Sequence, residues 1–243
     1  MSAAAPARKI LLTGYARRKW RYYLRFWLWG ILLFPLAVLS YLGIGLYWCL
    51  LRSYVRARYG RIAVTDISKG KNTYPSFAES TIDALRLIET VDLRRFRVVE
   101  RELAFIVNEE LLSAGRYYQP LRSCSCDFSQ YQFDKKHEHY EWWLAYHAGL
   151  IVHEATHGRL MSLYFPYTKK TRLQIERICH AEQRRFVARL PSERYDFARD
   201  LVGPFDETRW HSYWNQSRWQ YFTAIARRIW RSDDAAAASK KPD

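Results

Sequence analysis

This chain of 243 residues has few cysteines, and its acidic residues are outnumbered by its basic ones. Four cysteines do not make the disulfide framework of a small secreted domain. The chain has 24 acidic and 39 basic residues, and the resulting formal charge of +15 favours contact with anionic lipid head groups. Nucleic acid is the competing partner, but we expect none, because zinc-finger spacing and the Gly-aromatic signature of RNA-binding modules are both missing.

Charged side chains are missing altogether from the segment 26–51, which Arg25 and Arg52 enclose. About 26 residues at ~1.5 Å each span ~39 Å, enough to cross a hydrocarbon slab of ~30 Å with some tilt. Aromatic rings prefer the membrane interface, and four of them lie near the two ends of the segment: Trp27, Trp29, Tyr47 and Trp48. We therefore predict a transmembrane helix within 23–51, after a basic tail over 1–22.

Three other interpretations of this apolar segment compete with a transmembrane helix. A cleaved signal peptide fits poorly, because the run is too long and no small-residue cleavage site follows it. A hairpin bent at Pro35 would have arms too short to span, and a buried soluble helix is the third alternative. The orientation stays open: the basic N-terminal flank favours a cytoplasmic N-terminus, whereas the unpaired-looking cysteines favour a cytoplasmic domain.

The most specific motif is His153-Glu154-Ala155-Thr156-His157, which has the form H-E-x-x-H. In a helix the two histidines, four residues apart, present both imidazoles to one point. This arrangement suits two of the three protein ligands of a catalytic zinc, which keeps its fourth position open for water. Glu154 is offset by one residue, so it can take a proton from that water without binding the metal.

The sequence around the motif predicts a helix. The segment 141–163 contains no proline and only two glycines, Gly149 and Gly158. On a 3.6-residue repeat the two histidines share a stripe with Tyr146, Leu150 and Leu160. They stand where core residues are expected, and buried polar groups need partners. A metal ion would provide one; hydrogen bonds to neighbouring side chains are the alternative.

Through this motif and a downstream glutamate, the chain resembles the zincin metallopeptidases. The resemblance implies a small β-sheet packed against the motif helix and a zinc-activated water that attacks a peptide carbonyl, with Glu154 as general base. Many zincins also use a downstream His or Tyr to stabilise the oxyanion, and His211 and Tyr213 are the candidates for that role here.

Two glutamates compete to be the third zinc ligand. Glu176 follows His157 with eighteen residues between, close to the spacing in gluzincins, the zincins whose third ligand is glutamate. Glu182 lies within a predicted helix over 171–190, in the middle of an apolar stripe where a carboxylate is costly unless paired or metal-bound: Ile175, Ile178, Cys179, Phe186 and Leu190. We favour Glu182, with Glu176 as the alternative; the other glutamate could orient a ligand histidine.

The segment 182–191 adds a second resemblance, to phage-repressor-cleaving and stress-response peptidases of zincin type. In those proteins a Glu precedes a Phe by four residues, before a Leu-Pro end.

Local signals predict the remaining elements: a capping box at Ser76 and Glu79 starts a helix over 77–90, and short apolar runs suggest two strands, over 103–107 and 122–128. Further helices are predicted over 92–101, 192–201 and 206–230.

Together these patterns predict a mainly α (α+β) chain with one N-terminal transmembrane helix and a minimal zincin-like domain that contains a small β-sheet. After the basic tail and the transmembrane helix, the expected divisions are a basic juxtamembrane linker over 52–75, the metalloprotease domain over 76–231 and a disordered tail over 232–243. We expect a single-pass zinc metallopeptidase of a bacterial-type inner membrane or a plasma membrane, acting on an unidentified peptide or protein. The alternative is a catalytically silent zinc-binding module, or a basic lipid-binding module, tethered to the membrane.

Overall fold

The computed structural model describes residues 34–67, 76–109, 115–128 and 140–208. Within those ranges the protein is mostly helical, with one mixed five-stranded sheet. The helices are α1 (Phe34–Ser53), α2 (Phe77–Val91), α3 (Leu93–Glu102), α4 (Tyr140–Ser162), α5 (Arg172–Val187) and α6 (Ser192–Val202). The strands are β1 (Val55–Tyr59), β2 (Ile62–Asp66), β3 (Phe105–Asn108), β4 (Gly115–Tyr118) and β5 (Ser123–Cys126). The chain separates into two compact units, Met1–Cys49 and Leu50–Asp243.

Helix α1 is long and apolar enough to cross a membrane, by length and composition. Its large apolar side chains are exposed, as Phe34 and Leu39 illustrate. A signal sequence or the core helix of a soluble protein meets the same criteria, so length and composition do not separate the three. The predicted start at residue 23 and the alternative hairpin around Pro35 both depend on residues before 34, which lie outside the described ranges.

The segment 52–75, assigned from its sequence to a linker along the bilayer, contains a β-hairpin instead. Strands β1 and β2 pair antiparallel, and Tyr59 faces Ile62 across the turn. Gly60 has a φ of 55° in that turn, a conformation that glycine adopts without steric cost. The apolar stretch of β2 is only three residues long in the sequence, and its burial comes from pairing with β3, which is distant along the chain.

The sheet has the order β1-β2-β3-β5-β4, with parallel pairs at β2–β3 and β3–β5 and antiparallel pairs at the two edges. All residues of β3 and β5 are buried, whereas β1 and β4 alternate between partly buried and exposed residues. This contrast is expected when central strands are covered on both faces and edge strands are not. The predicted strands over 103–107 and 122–128 correspond to β3 and β5.

Helix α4 carries the H-E-x-x-H motif and packs against α2, α3, α5 and α6. Thirteen of its residues are buried, from Leu144 to Gly158, so most of its circumference lies in the core. At Gly149 an added Cβ would lie 3.1 Å from Val187 Cγ2 and 3.2 Å from Gln183 Cγ. Gly149 therefore allows α5 to approach α4 closely, and this approach brings the side chains of α5 to the motif.

The helix predictions agree with the structure to within a few residues. At the start of α2, Ser76 Oγ accepts from the backbone N–H of Glu79 at 3.3 Å, and Glu79 Oε2 accepts from the backbone N–H of Ser76 at 2.8 Å. The capping box is therefore confirmed. It satisfies two backbone N–H groups at the start of the helix that have no acceptor within the helix. The segment 206–230 lies largely outside the described residues.

Candidate metal centre

Helix α4 brings the imidazoles of His153 and His157 together. Their Nε2 atoms are 3.2 Å apart, as the four-residue spacing predicts for two side chains on one helical face. His153 is buried, with 5% of its surface exposed, and His157 is partly buried. Two neutral imidazoles that point lone pairs at one place repel each other, and a shared proton or a cation between them removes that repulsion.

Glu176 on α5 completes a triangle with the two imidazoles. Its Oε2 lies 3.3 Å from His153 Nε2 and 3.4 Å from His157 Nε2. Its other oxygen, Oε1, accepts a hydrogen bond from the hydroxyl of Tyr167 at 2.6 Å. The structure thus assembles two nitrogen donors and one oxygen donor around one point, and a tyrosine outside them fixes the carboxylate.

Glu182, the glutamate favoured from the apolar stripe of α5, does not join this cluster. Its Oε2 accepts from Arg95 on α3, at 2.8 Å from Nη2 and 3.2 Å from Nε, and Arg185 also pairs with it. The preference for Glu182 over Glu176 therefore does not match the geometry. The stripe identified a carboxylate that needs a partner, but that partner is Arg95, 87 residues earlier in the chain, which periodicity within one helix cannot reveal.

Opposing effects act on the carboxyl group of Glu176. Burial by itself would raise its pKa, but the hydrogen bonds and charges of His153 and His157 outweigh burial and hold the pKa well below its usual range. The group is therefore an anion that faces two nitrogen donors. A buried anion in this setting attracts a cation strongly.

Glu154 faces the sheet rather than the triangle. Burial raises the pKa of Glu154 to about 7, and the negative charge of Glu176 adds to the effect, while His153, Arg116 and the backbone N–H of Tyr117 oppose it. A carboxyl group with a pKa near neutrality can both accept and return a proton. Glu154 is thus placed next to the metal-binding face without being part of it.

Strand β4 passes directly beside Glu154. At Gly115 an added Cβ would lie 2.7 Å from Glu154 Oε1 and 2.8 Å from Leu150 Cδ1, so a larger residue would force one of these side chains or the strand to shift. Strand β4, Gly115–Tyr118, was not predicted from the sequence, because it contains an arginine and lacks the apolar run that marked β3 and β5. A glycine within a strand is a sequence signal for close approach of another group, and Gly115 offers that signal here.

Cys179, which the sequence indicated only as part of the apolar stripe of α5, is a further donor. One ring nitrogen of His153, one of His157 and the Sγ of Cys179 lie within 4.8 Å of one another, and this buried group could hold a metal ion. Burial raises the pKa of the Cys179 thiol well above its usual value, and Glu176 and Glu154 act in the same direction. The thiol is therefore protonated unless a metal displaces its proton.

Two predicted site residues, His211 and Tyr213, lie outside the described ranges. Cys124 and Cys126 are buried in β5 with their sulfurs 3.5 Å apart, and neither is disulfide-bonded.

Comparisons with known proteins add no family to this description: no family model, no curated protein and no solved structure matches the chain.

Proposed function

We propose that this protein is a membrane-anchored, zinc-dependent metallopeptidase. The observation that carries the proposal is the triangle of His153 Nε2, His157 Nε2 and Glu176 Oε2, with separations of 3.2, 3.3 and 3.4 Å. Zinc binds imidazole nitrogen and carboxylate oxygen at about 2.0–2.1 Å, and two such ligands at a tetrahedral angle are then about 3.3–3.4 Å apart. The donor atoms thus already have nearly the separations that a tetrahedral zinc ion requires.

The donor types favour zinc over the other common cations. Calcium and magnesium take mostly oxygen ligands, whereas two imidazoles with one carboxylate suit zinc. Three protein ligands leave one coordination position for water, which is the arrangement of catalytic rather than structural zinc. When bound, the ion would acidify that water and polarise the carbonyl of a bound peptide.

Glu154 supplies the proton transfers of the proposed reaction. Its carboxylate takes a proton from the attacking water and passes it to the leaving amine as the peptide bond breaks. Burial raises the pKa of Glu154 to about 7 in the metal-free protein, and a carboxylate made more basic by burial is a better proton acceptor than an exposed one. The backbone N–H of Tyr117 on β4 hydrogen-bonds to this carboxylate, and in the proposal this bond positions the base beside the two histidines.

Strand β4 also supports a peptide substrate. It is an edge strand, with β5 on one side of it among the described strands, and it runs beside the proposed base. An extended peptide can add to such an edge through main-chain hydrogen bonds, which are independent of its sequence. The proposed substrate is therefore an extended segment of a peptide or protein.

The membrane part of the proposal depends on α1 and on the charge of the chain. A helix of this length and composition spans a bilayer when it is neither cleaved nor buried, and a formal charge of +15 suits anionic lipid head groups at its ends. The proposed partners are thus a lipid bilayer and a peptide substrate.

Metal analysis of the purified full chain tests the centre of the proposal. We expect about one zinc per chain, lost in Glu176→Ala and retained in Glu182→Ala, a matched control on the same helix. Glu154→Gln should retain zinc and lose hydrolysis of a peptide library. A chain that binds no zinc refutes the site; zinc without any cleavage would instead favour a silent zinc-binding module.

A further inference from the structure

We propose that Cys179 is a fourth protein ligand of the same ion and that its thiolate occupies the position that water needs. This inference rests on the proposed function, because it concerns the metal held by His153, His157 and Glu176. It adds that the site has a closed form with four protein ligands and an open form with three.

Cys179 is positioned for this role by α5. It follows Glu176 by three residues, so both side chains lie on the face of α5 that turns toward α4. Its side chain is completely buried, and its sulfur is no more than 4.8 Å from a ring nitrogen of each histidine. Zinc–sulfur and zinc–nitrogen bonds of about 2.3 and 2.0–2.1 Å place the two ligand atoms about 3.6 Å apart. The sulfur lies at most about 1.2 Å beyond that separation from a ring nitrogen of each histidine, a gap that a change in side-chain torsion can narrow.

The donor set that results is chemically ordinary for zinc. Histidine nitrogen, carboxylate oxygen and cysteine sulfur all bind this ion, and four protein ligands make a closed site. As the sulfur–metal bond forms, the thiol loses its proton to solvent and one water molecule leaves. The exchange needs no oxidant or reductant, and its reversal restores the open position. A closed form would prevent hydrolysis while retaining the metal.

The three other cysteines provide internal controls. Cys49 lies in α1, and Cys124 and Cys126 lie in β5, where their sulfurs contact each other at 3.5 Å. None of the three belongs to the group formed by Cys179 and the two imidazoles. A variant in which these three are changed to serine therefore keeps the proposed ligand as its only cysteine.

Cobalt substitution reports thiolate ligation directly. The full chain is purified in detergent, stripped of metal and loaded with Co²⁺, and its near-ultraviolet absorption is recorded for a sulfur-to-cobalt charge-transfer band. We expect the band in the wild type and in the triple variant Cys49→Ser, Cys124→Ser, Cys126→Ser, and its loss in Cys179→Ser. X-ray absorption of the zinc-loaded wild type should show one sulfur at about 2.3 Å, a measurement that needs no variant.

The outcomes separate this inference from the function on which it rests. Bound metal with no thiolate band and only nitrogen and oxygen neighbours overturns the role of Cys179 and leaves the metallopeptidase proposal standing. A band that survives Cys179→Ser also overturns it, because another cysteine then binds the metal. No bound metal in the wild type overturns both. If the thiolate closes the site, zinc-loaded Cys179→Ser hydrolyses peptides faster than the wild type; an equal or lower rate refutes the closed form.

Discussion

The hydroxyl of Tyr167 donates a hydrogen bond to Glu176 Oε1 over 2.6 Å, while the other oxygen of that carboxylate faces the imidazoles. Tyr167 lies in the connection between α4 and α5, and its ring is also 5.8 Å from the ring of His157. A partner outside the metal ligands fixes the direction in which a ligand carboxylate points and limits its rotation. The connection between the two helices therefore contributes to the candidate metal site.

Tyr167→Phe removes this hydrogen bond and keeps the aromatic ring. We expect zinc affinity to fall by about 10–100-fold, the usual effect of losing a partner that orients a ligand. Competition with a chromogenic chelator measures the change. Tyr164→Phe is the matched control, because Tyr164 lies in the same connection with 94% of its surface exposed. Equal affinities in the two variants would exclude Tyr167 from the site.

The buried His147 makes the stability of the fold depend on pH. Burial lowers the pKa of His147 to about 4 from the ordinary value of 6.5, so the folded state holds the neutral imidazole. Between pH 6.5 and 4 the unfolded chain binds a proton that the folded chain does not, and the stability present above pH 6.5 is lost progressively as the pH falls. The loss from this residue amounts to roughly 3 kcal/mol by pH 4.

Denaturant unfolding at several pH values, in the wild type and in His147→Gln, measures this contribution. Other groups titrate in both proteins, so the difference between the two curves isolates His147. We expect the variant to be less stable at pH 7, because Thr81 Oγ1 lies 3.2 Å from His147 Nε2 in the wild type, and to lose less stability on acidification. Parallel curves would show that His147 does not titrate between the two states.

Asp92 joins α2 to α3 through several partners. Its Oδ1 accepts from the backbone N–H of Arg95 at 3.1 Å, which caps α3, and its Oδ2 pairs with the guanidinium groups of Arg95 and Arg189. Burial by itself would raise the pKa of Asp92, but these hydrogen bonds and charges lower it. Its contribution to stability is therefore present above the unfolded pKa and is lost as the pH falls below it.

Asp92→Ala removes the cap and leaves two arginines without their buried partner. We expect a loss of about 2–4 kcal/mol in the free energy of unfolding, more than a cap alone contributes, because the pair of Asp92 and Arg95 is largely buried. Asp196→Ala is the control: Asp196 also pairs with an arginine three residues later, Arg199, but its side chain is 70% exposed. That change should cost less than about 1 kcal/mol. Similar losses in both variants would show that burial of Asp92 adds nothing.

Most of the helices, and the approach of the two motif imidazoles, could be predicted from the sequence because they depend on neighbours within a few residues. The capping box at Ser76 and the stripe that contains His153 and His157 are local patterns, and both appear where expected. The hairpin β1–β2 and strand β4 were missed, since β1 and β4 contain arginines and lack the apolar run that marked β3 and β5. Strand β2 is buried by pairing with β3, which is distant along the chain. The preference for Glu182 does not match the geometry for a similar reason: Glu182 pairs with Arg95 on α3, and only the folded chain brings Arg95 to α5.

Strand β4 and helix α4 approach each other at Gly115, and this contact provides a test of how Glu154 is positioned. An added Cβ would lie 2.7 Å from Glu154 Oε1 and 2.8 Å from Leu150 Cδ1, both closer than carbon atoms normally approach such neighbours. Gly115→Ala should therefore displace the Glu154 carboxylate or push β4 outward, at a cost of about 1–3 kcal/mol in stability.

Neither displacement touches His153, His157 or Glu176, so Gly115→Ala should still bind about one zinc per chain while peptide hydrolysis falls at least about tenfold, because a misplaced general base loses most of its effect. Gly45→Ala is the control, since an added Cβ there meets nothing within 4 Å. Zinc content, unfolding and hydrolysis are measured on all three proteins. Loss of zinc together with activity would mean that β4 supports the metal ligands themselves, and full activity would show that Glu154 does not depend on the strand for its position.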